Sequence, residues 1–431
     1  MKWVSVDKRS LFLYAEFSLL RRFADVKDYL KDLLYSVCLG ALASLLIVGF
    51  TAIVAFLTNV IWTDFPQRLN QPAYWPLVIG LVGGLIVGSL QKWVGPYPFS
   101  MEKSLALAKT GSPDSYKHRV WRNFLNAVVI LALGAGVGPE AALISIVSEL
   151  VVWISDRLKF TRTQFDFWEN NSFGAVLALI FRSPFFGLSE QYTNEKKHRR
   201  SWHWDSIYVI TIASAWFIFK SLHRFVSAPF LYIHSRASIT YPKNTIRTVI
   251  IALVLAIAAY WLYAGLNRLV GKLSRWQSQP ILLAVLGGLI LGLTGMWTHF
   301  LLFSGETSIY ALLKVFSNLS GWTLLIWGLL KMLLATFYNA TGWRGGKIFP
   351  NIWGSLCMGL GAANLLGLSP RLLATVFCTA ILTEIMPKPL VVCGLLVLLF
   401  PIQLLPLIIV VSVATVWIQK GLNKGFKHLT A

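Results

Sequence analysis

Long apolar segments with few charged side chains constrain this chain more than any other feature. Residues 35 to 62 form an apolar segment without charged side chains, and residues 245 to 270 form a second apolar segment with only two arginines. Both are long enough for a tilted helix to cross a membrane. Apolar residues make up 56% of the 431 residues and charged residues 13%, so at about 20 residues per crossing roughly ten or more spans are available. The sequence predicts an all-α polytopic membrane protein, with no length left for a large soluble catalytic domain.

The charge balance is strongly basic, with 39 Lys and Arg against 18 Asp and Glu and a net charge of +21. The basic residues are spread over short loops between apolar segments, where they set the membrane topology and attract anions. This distribution argues against a cationic substrate and against nucleic acid as a partner. The four cysteines lie inside apolar segments and form no CxxC pair, so we predict neither a metal site nor a cofactor.

Charged stretches divide the chain into five predicted parts. The N-terminal stretch mixes charged and apolar residues and lacks a signal-peptide cleavage site, which is typical of an amphipathic helix at the cytoplasmic surface. The parts are this amphipathic helix at 1–34, a first membrane repeat at 35–193, a basic linker with a connecting helix at 194–244, a second membrane repeat at 245–420 and a basic tail at 421–431. The lipid bilayer is the predicted environment, in a plasma membrane with the N-terminus cytoplasmic.

Two segments of the chain are alike. Residues 76–93 and 280–297 share Pro, Gly-Gly-Leu-Ile, Gly and Trp at matched places. Ordered agreement of several residues indicates an internal duplication. Repeats of this size are typical of transporters and channels, which place the substrate site between the two repeats near the membrane midplane.

Several apolar helices are predicted to be too short to span a membrane. Short helices ended by Gly, Pro or Asn are tolerated at membrane depth only where protein or a watery cavity covers their ends. They therefore indicate the transport pathway. The predicted short segments are 124–135, 172–181, 352–366 and 371–386.

Two Gly-rich interruptions precede a proline and a restarted helix, at Pro139 and at Pro350. A helix that starts in this way directs unpaired backbone N–H groups and the positive end of its dipole at whatever lies before it, which makes an anion site without a cationic side chain. We expect the two helix starts to converge on one anion. The predicted anion-binding residues are Gly136, Val137, Gly138, Glu140, Gly346, Lys347, Ile348 and Phe349.

These interruptions resemble motifs of the CLC chloride channels and anion/proton antiporters. VGPE at 137–140 is similar to the family's GREGP segment, and GGKIFPNIWGSLCMGLG is similar to its GxFxP segment. SFGAVLALIFRSPFFGLSEQ resembles the helix pair that precedes the family's middle linker. The resemblance implies an inverted repeat of tilted and broken helices, and a homodimer with one pathway for chloride or a similar small anion in each subunit.

The departures from the family pattern bear on the mechanism. The resemblance implies a gating, proton-carrying glutamate before the Gly-Pro pair, where this chain has Val137. It implies an inner proton-carrying glutamate nine residues after Pro184, where this chain has Thr193, with Glu190 and Glu195 as alternatives if the spacing shifts slightly. Ser100 is the nearest candidate for the family's anion-binding serine, without its flanking glycines. Because neither Val137 nor Thr193 titrates, a channel or uncoupled transporter is favoured over a proton antiporter.

Five other charged residues have alternative interpretations. Glu140 is either a first-turn carboxylate that satisfies local N–H groups, or a displaced gate and proton carrier that would make the protein an antiporter. Lys347 either places a positive charge beside the anion or extends to water. Glu384 and Lys388, on either side of Pro387, are candidates for an ion pair. Glu306 is interpreted as part of a loop, with a place on a proton path as the alternative.

Two alternatives to anion transport come from other classes. The sequence lacks HExxH, GxSxG and DxD motifs, so we predict that the protein is not an enzyme. The main alternative is a membrane enzyme acting on an anionic lipid-linked substrate, suggested by the basic loops and by His203 and Asp205. These residues are interpreted more simply as part of an interfacial aromatic belt. A third interpretation is a transport-inactive scaffold.

Overall fold

The computed structural model describes residues 8–99, 116–158, 162–194, 202–222, 244–276, 278–397 and 399–429. The helices before the middle of the chain are α1 (Lys8–Asn59), α2 (Trp75–Trp93), α3 (Tyr116–Ala132), α4 (Glu140–Leu158), α5 (Arg162–Ile180), α6 (Pro184–Asn194) and α7 (Trp202–Leu222). Those after it are α8 (Thr245–Gly271), α9 (Pro280–Trp297), α10 (Ile309–Val315), α11 (Gly321–Ala340), α12 (Ile348–Leu366), α13 (Pro370–Ile385), α14 (Pro389–Leu396) and α15 (Leu405–Leu429).

Seven helical segments of the described residues are long and apolar enough to cross a membrane. They lie in α1, α2, α7, α8, α9, α11 and α15. Seven candidate spans are fewer than the roughly ten or more that composition predicts. The other apolar helices are interrupted by Gly and Pro or begin with polar turns. Two of these begin earlier than predicted: α3 at Tyr116 and α5 at Arg162.

The two matching segments of the sequence are α2 and α9, and they pack against each other. Their backbones approach closely, since an ideal Cβ on Gly80 would lie 2.1 Å from the carbonyl oxygen of Gly288. On Gly84 it would lie 2.7 Å from the Cα of Val285. Small residues at such a crossing let membrane helices gain dense van der Waals packing. The repeated glycines therefore join the two halves, and the largest buried apolar cluster contains residues of both.

Trp343 connects this helix crossing to the second Gly-rich interruption. Its side chain is fully buried, and its Nε1–H donates to the carbonyl of Ala284 at 2.8 Å. An ideal Cβ would lie 2.9 Å from the indole ring at Gly83 and 2.7 Å from it at Gly287. The indole thus fills a groove that both helices form with their glycines.

An ion pair joins residues that are distant in sequence. Lys388 Nζ lies 2.9 Å from Glu190 Oε1, between the end of α6 and the turn before α14. The predicted pair with Glu384 is wrong, because Lys388 stands between two prolines outside the helices and reaches α6 instead. The Glu384 side chain is buried near the end of α13.

The predicted division into five parts stays a prediction. One helix, α1, runs continuously through the predicted boundary at residue 34. Most of the predicted basic linker, at 195–201 and 223–243, lies outside the described residues, as do Ser100 and residues 1–7.

Candidate functional site

The two Gly-rich interruptions are built on one plan. In the first, α3 ends at Ala132 and Gly134 follows with a φ of +87°. In the second, α11 ends at Ala340 and Gly342 follows with a φ of +93°. Glycine adopts this conformation without steric penalty, which explains why both helices end there.

Four residues after each of these glycines, the two interruptions pair with each other. The N–H of Gly138 donates to the carbonyl of Gly346 at 2.8 Å, and the N–H of Gly346 donates to the carbonyl of Gly138 at 2.8 Å. The chain then enters α4 at Glu140 and α12 at Ile348. This antiparallel bridge places the two helix starts side by side, one from each half.

Glu140 crosses from the first interruption to the second. Its Oε1 accepts a hydrogen bond from the backbone N–H of Ile348 at 2.8 Å. Burial disfavours the charged form of this carboxyl group, and the N–H groups of Phe349 and of Glu140 itself offset part of that cost. The residue is 3% exposed, and its Oε2 has no hydrogen-bond partner among the described residues. A carboxylate of this protein therefore occupies the kind of helix start that binds anions.

Both bridging glycines are needed to make room for this carboxyl group. An ideal Cβ on Gly346 would lie 1.9 Å from Glu140 Cδ, and one on Gly138 would lie 1.9 Å from Glu140 Oε2. Gly346 does not have a positive φ, so the requirement for glycine there is one of space rather than of backbone conformation.

The other residues expected around the site lie in different surroundings. Val137 is fully buried and packs on the second interruption, where an ideal Cβ on Gly345 would lie 2.5 Å from its Cγ2. Gly136 is buried, with an ideal Cβ 3.0 Å from the ring of Tyr338. Thr193 lies near the end of α6, where its hydroxyl donates to the Ser189 carbonyl at 2.7 Å.

Comparison with known proteins identifies the family. The family profile described as voltage gated chloride channel matches residues 83–420, a range that contains both interruptions. The chain belongs to this family. The resemblance predicted from VGPE and GGKIFP is thereby confirmed. Members of the family are channels and transporters, so this protein is a multi-pass membrane protein that transports anions and is not an enzyme.

Individual relatives share about a quarter of their residues with this chain over most of its length. An ion-transport protein of Escherichia coli, YfeO, is 25% identical over 349 residues, covering 75% of this chain and 77% of its own. Its counterpart in Shigella flexneri is 24% identical over 347 residues, with the same coverage.

Two solved structures show the same fold. A slow cyanobacterial Cl⁻/H⁺ antiporter matches with a TM-score of 0.69 and 17% identity, over 89% of this chain and 94% of its own. A CLC-type fluoride/proton antiporter matches with a TM-score of 0.67 and 17% identity, over 91% and 96% of the two chains. The predicted all-α fold of this family, with its inverted repeat of broken helices, is confirmed.

Phe181 contacts the family's broken-helix site in this chain, and two charged residues, Arg182 and Glu306, are linked to each other electrostatically. The ring of Phe349 stacks on that of Phe181 at 4.7 Å between centroids. Arg182 follows Phe181 with a φ of +48° and is buried. The carboxyl group of Glu306, in the turn before α10, interacts electrostatically with Glu140 and with Arg182. Sequence analysis overlooked Arg182, although a charged residue in an apolar helix pair marks a functional candidate in a membrane protein.

Lys347 is the residue from which α12 starts, and its side chain is half-buried. We expect Lys347→Gln to raise the half-saturating anion concentration about threefold to tenfold at low ionic strength, because a cation beside the first turn of α12 adds to the attraction of its N–H groups. Flux measured against chloride concentration in liposomes, at low and high salt, checks this. Equal half-saturation in both proteins would show that the ammonium group extends to water.

Proposed function

We propose that this protein conducts chloride and other small inorganic anions between the two interruptions, and that the Glu140 carboxylate gates the pathway. The observation that carries the proposal is the hydrogen bond from the Ile348 N–H to Glu140 Oε1. A carboxylate bound at a helix start competes with any free anion for the same N–H groups. Passage of an anion past this point therefore requires the carboxylate to leave.

The chemistry of the site favours small anions. Backbone N–H groups and the positive end of the α12 dipole attract negative charge without forming a fixed ion pair. Burial excludes water and strengthens this attraction. The two glycines leave room for a group about as large as a carboxylate. Chloride is the substrate we assign, because the matching family profile is described as that of a chloride channel.

We further propose that anion movement is not coupled to protons. Coupled exchange needs one acid that alternates with the anion and an inner acid that passes the proton to water. Val137 and Thr193 stand where the family resemblance implies these acids, and neither side chain titrates. Glu190, the nearest acid to Thr193 within α6, is engaged by Lys388.

Proton-coupled exchange is the second candidate, and one observation favours it. Glu140 lies in the anion site and interacts electrostatically with Glu306, so these two carboxyl groups are candidates to carry a proton there. Two proteins with the same fold are named as antiporters, for chloride and for fluoride. In this mechanism Glu140 would take the role of the missing glutamate.

One flux experiment tests these mechanisms. Purified protein in liposomes is given a chloride gradient without a pH gradient, and potassium with valinomycin holds the voltage at zero. A chloride electrode follows the anion, and a trapped dye follows interior pH. We expect chloride to move while the interior pH stays constant.

Each other outcome identifies a different mechanism. Proton movement at a fixed ratio to chloride would contradict the uncoupled mechanism and establish exchange. No chloride movement above that of protein-free liposomes would contradict the proposed function and indicate a transport-inactive scaffold.

We also propose a homodimer in the plasma membrane with a cytoplasmic N-terminus. Membership of the family supports the dimer. The basic residues of the N-terminal stretch support the orientation, because cytoplasmic segments carry an excess of Lys and Arg.

A further inference from the structure

Lys331 is a buried cation whose partners are backbone carbonyls. It lies in α11, and its side chain is fully buried. Its Nζ donates to the carbonyls of Phe300 at 3.0 Å, Leu302 at 2.7 Å and Phe303 at 2.7 Å. These three bonds use every proton of the ammonium group. A buried charge with this much hydrogen bonding holds its partners in one geometry, because releasing any of them leaves charge unsatisfied.

The segment that Lys331 holds is bonded directly to the first interruption. The N–H of Phe303 donates to the carbonyl of Gly134 at 2.8 Å. The Phe303 ring contacts the edge of Trp62 at 5.5 Å between centroids, and Trp62 Nε1–H donates to the carbonyl of Ala132 at 3.0 Å. The residues where α3 ends are thus attached to the segment before α10.

Phe303 has a backbone conformation that needs support. Its φ is +57°, in the left-handed region that side chains with a Cβ rarely adopt. Lys331 binds the carbonyl of Phe303 and that of the preceding residue. The ammonium group therefore stabilises the conformation that directs the Phe303 N–H at Gly134.

We propose that Lys331 is a positioning residue for anion binding. By holding the segment from Phe300 to Phe303, it fixes the Gly134 end of the first interruption, and with it the path by which Glu140 reaches Ile348. The proposal rests on the proposed anion site between the two interruptions, because Lys331 acts on that site through Gly134.

The first test compares Lys331→Met with Lys331→Arg in liposome flux assays. We expect Lys331→Met to raise the half-saturating chloride concentration about tenfold, since charged hydrogen bonds to the segment are lost, and Lys331→Arg to recover part of the change. A variant that merely misfolds would lower the maximal flux and leave half-saturation unchanged. Lys314→Met, which removes a lysine lying over the ring of Tyr310 in α10, is the matched control and should behave as the unmodified protein.

The second test replaces Phe303 with a residue that tolerates its positive φ. Adding Phe303→Gly to Lys331→Met should restore the half-saturating chloride concentration of the unmodified protein, because glycine adopts a positive φ without penalty. Adding Phe303→Ala to Lys331→Met removes the same ring contacts, but alanine does not adopt a positive φ readily. This double variant should therefore keep the raised half-saturating chloride concentration. If Lys331→Met alone yields no folded protein, recovery of folded protein by the glycine and not by the alanine supports the proposal.

Three results would overturn the proposal. Folded Lys331→Met could keep the half-saturating chloride concentration unchanged, or it could lose maximal flux only. The third result is that the glycine and alanine double variants behave alike. Failure of the proposed anion site would be recognised separately, because Gly346→Val would then leave flux unchanged.

Discussion

Replacing Gly346 with valine should nearly abolish anion flux in a protein that still folds. The new Cβ would lie 1.9 Å from Glu140 Cδ and 2.4 Å from its Cγ. The Glu140 side chain can swing away, but the valine then fills the space in front of the Ile348 N–H. We expect flux to fall about 10- to 100-fold, because the anion loses a charge-assisted hydrogen bond of about 1.5–3 kcal/mol at the Ile348 N–H.

Gly265→Val is the matched control for this substitution. Gly265 lies in α8, and no atom of the described part of the chain lies within 4 Å of its ideal Cβ, so the same side chain should leave flux unchanged. The double variant Gly346→Val with Glu140→Ala should stay inactive, because valine itself blocks the site. Normal flux in Gly346→Val would remove the second interruption from the pathway.

Replacing Glu140 with glutamine should increase anion binding and flux. Glutamine keeps the shape and the acceptor oxygen that faces the Ile348 N–H, but it loses the charge that competes with the anion. A hydrogen bond to a charged group exceeds a neutral one by about 1.4 kcal/mol, which predicts about tenfold tighter anion binding. Chloride affinity measured by calorimetry, together with liposome flux, checks the prediction.

The control for Glu140→Gln is the same substitution at another buried glutamate of the membrane region. Glu384→Gln, near the end of α13, should leave chloride affinity unchanged. Unchanged affinity in Glu140→Gln would mean that Glu140 only stabilises the helix starts. If proton exchange is found in the unmodified protein, its loss in Glu140→Gln would identify Glu140 as the proton carrier.

Fold class, duplication and the position of the interruptions are predictable from the sequence because their causes are local. A helix that crosses a membrane needs a long apolar segment, which can be recognised at 35–62. The glycines that let α2 and α9 approach are visible in both matching segments. A Gly-rich stretch before a proline ends one helix and starts another, and this effect does not depend on tertiary contacts.

Partners distant in sequence were not predictable, and they define the site. A first-turn carboxylate such as Glu140 commonly bonds its own helix, but pairing of Gly138 with Gly346 brings the N–H of Ile348 within reach. Lys331 and Lys388 bond groups that no local pattern indicates. Long side chains can reach many groups, and the packing of the two repeats against each other selects which of them lie close enough to bond.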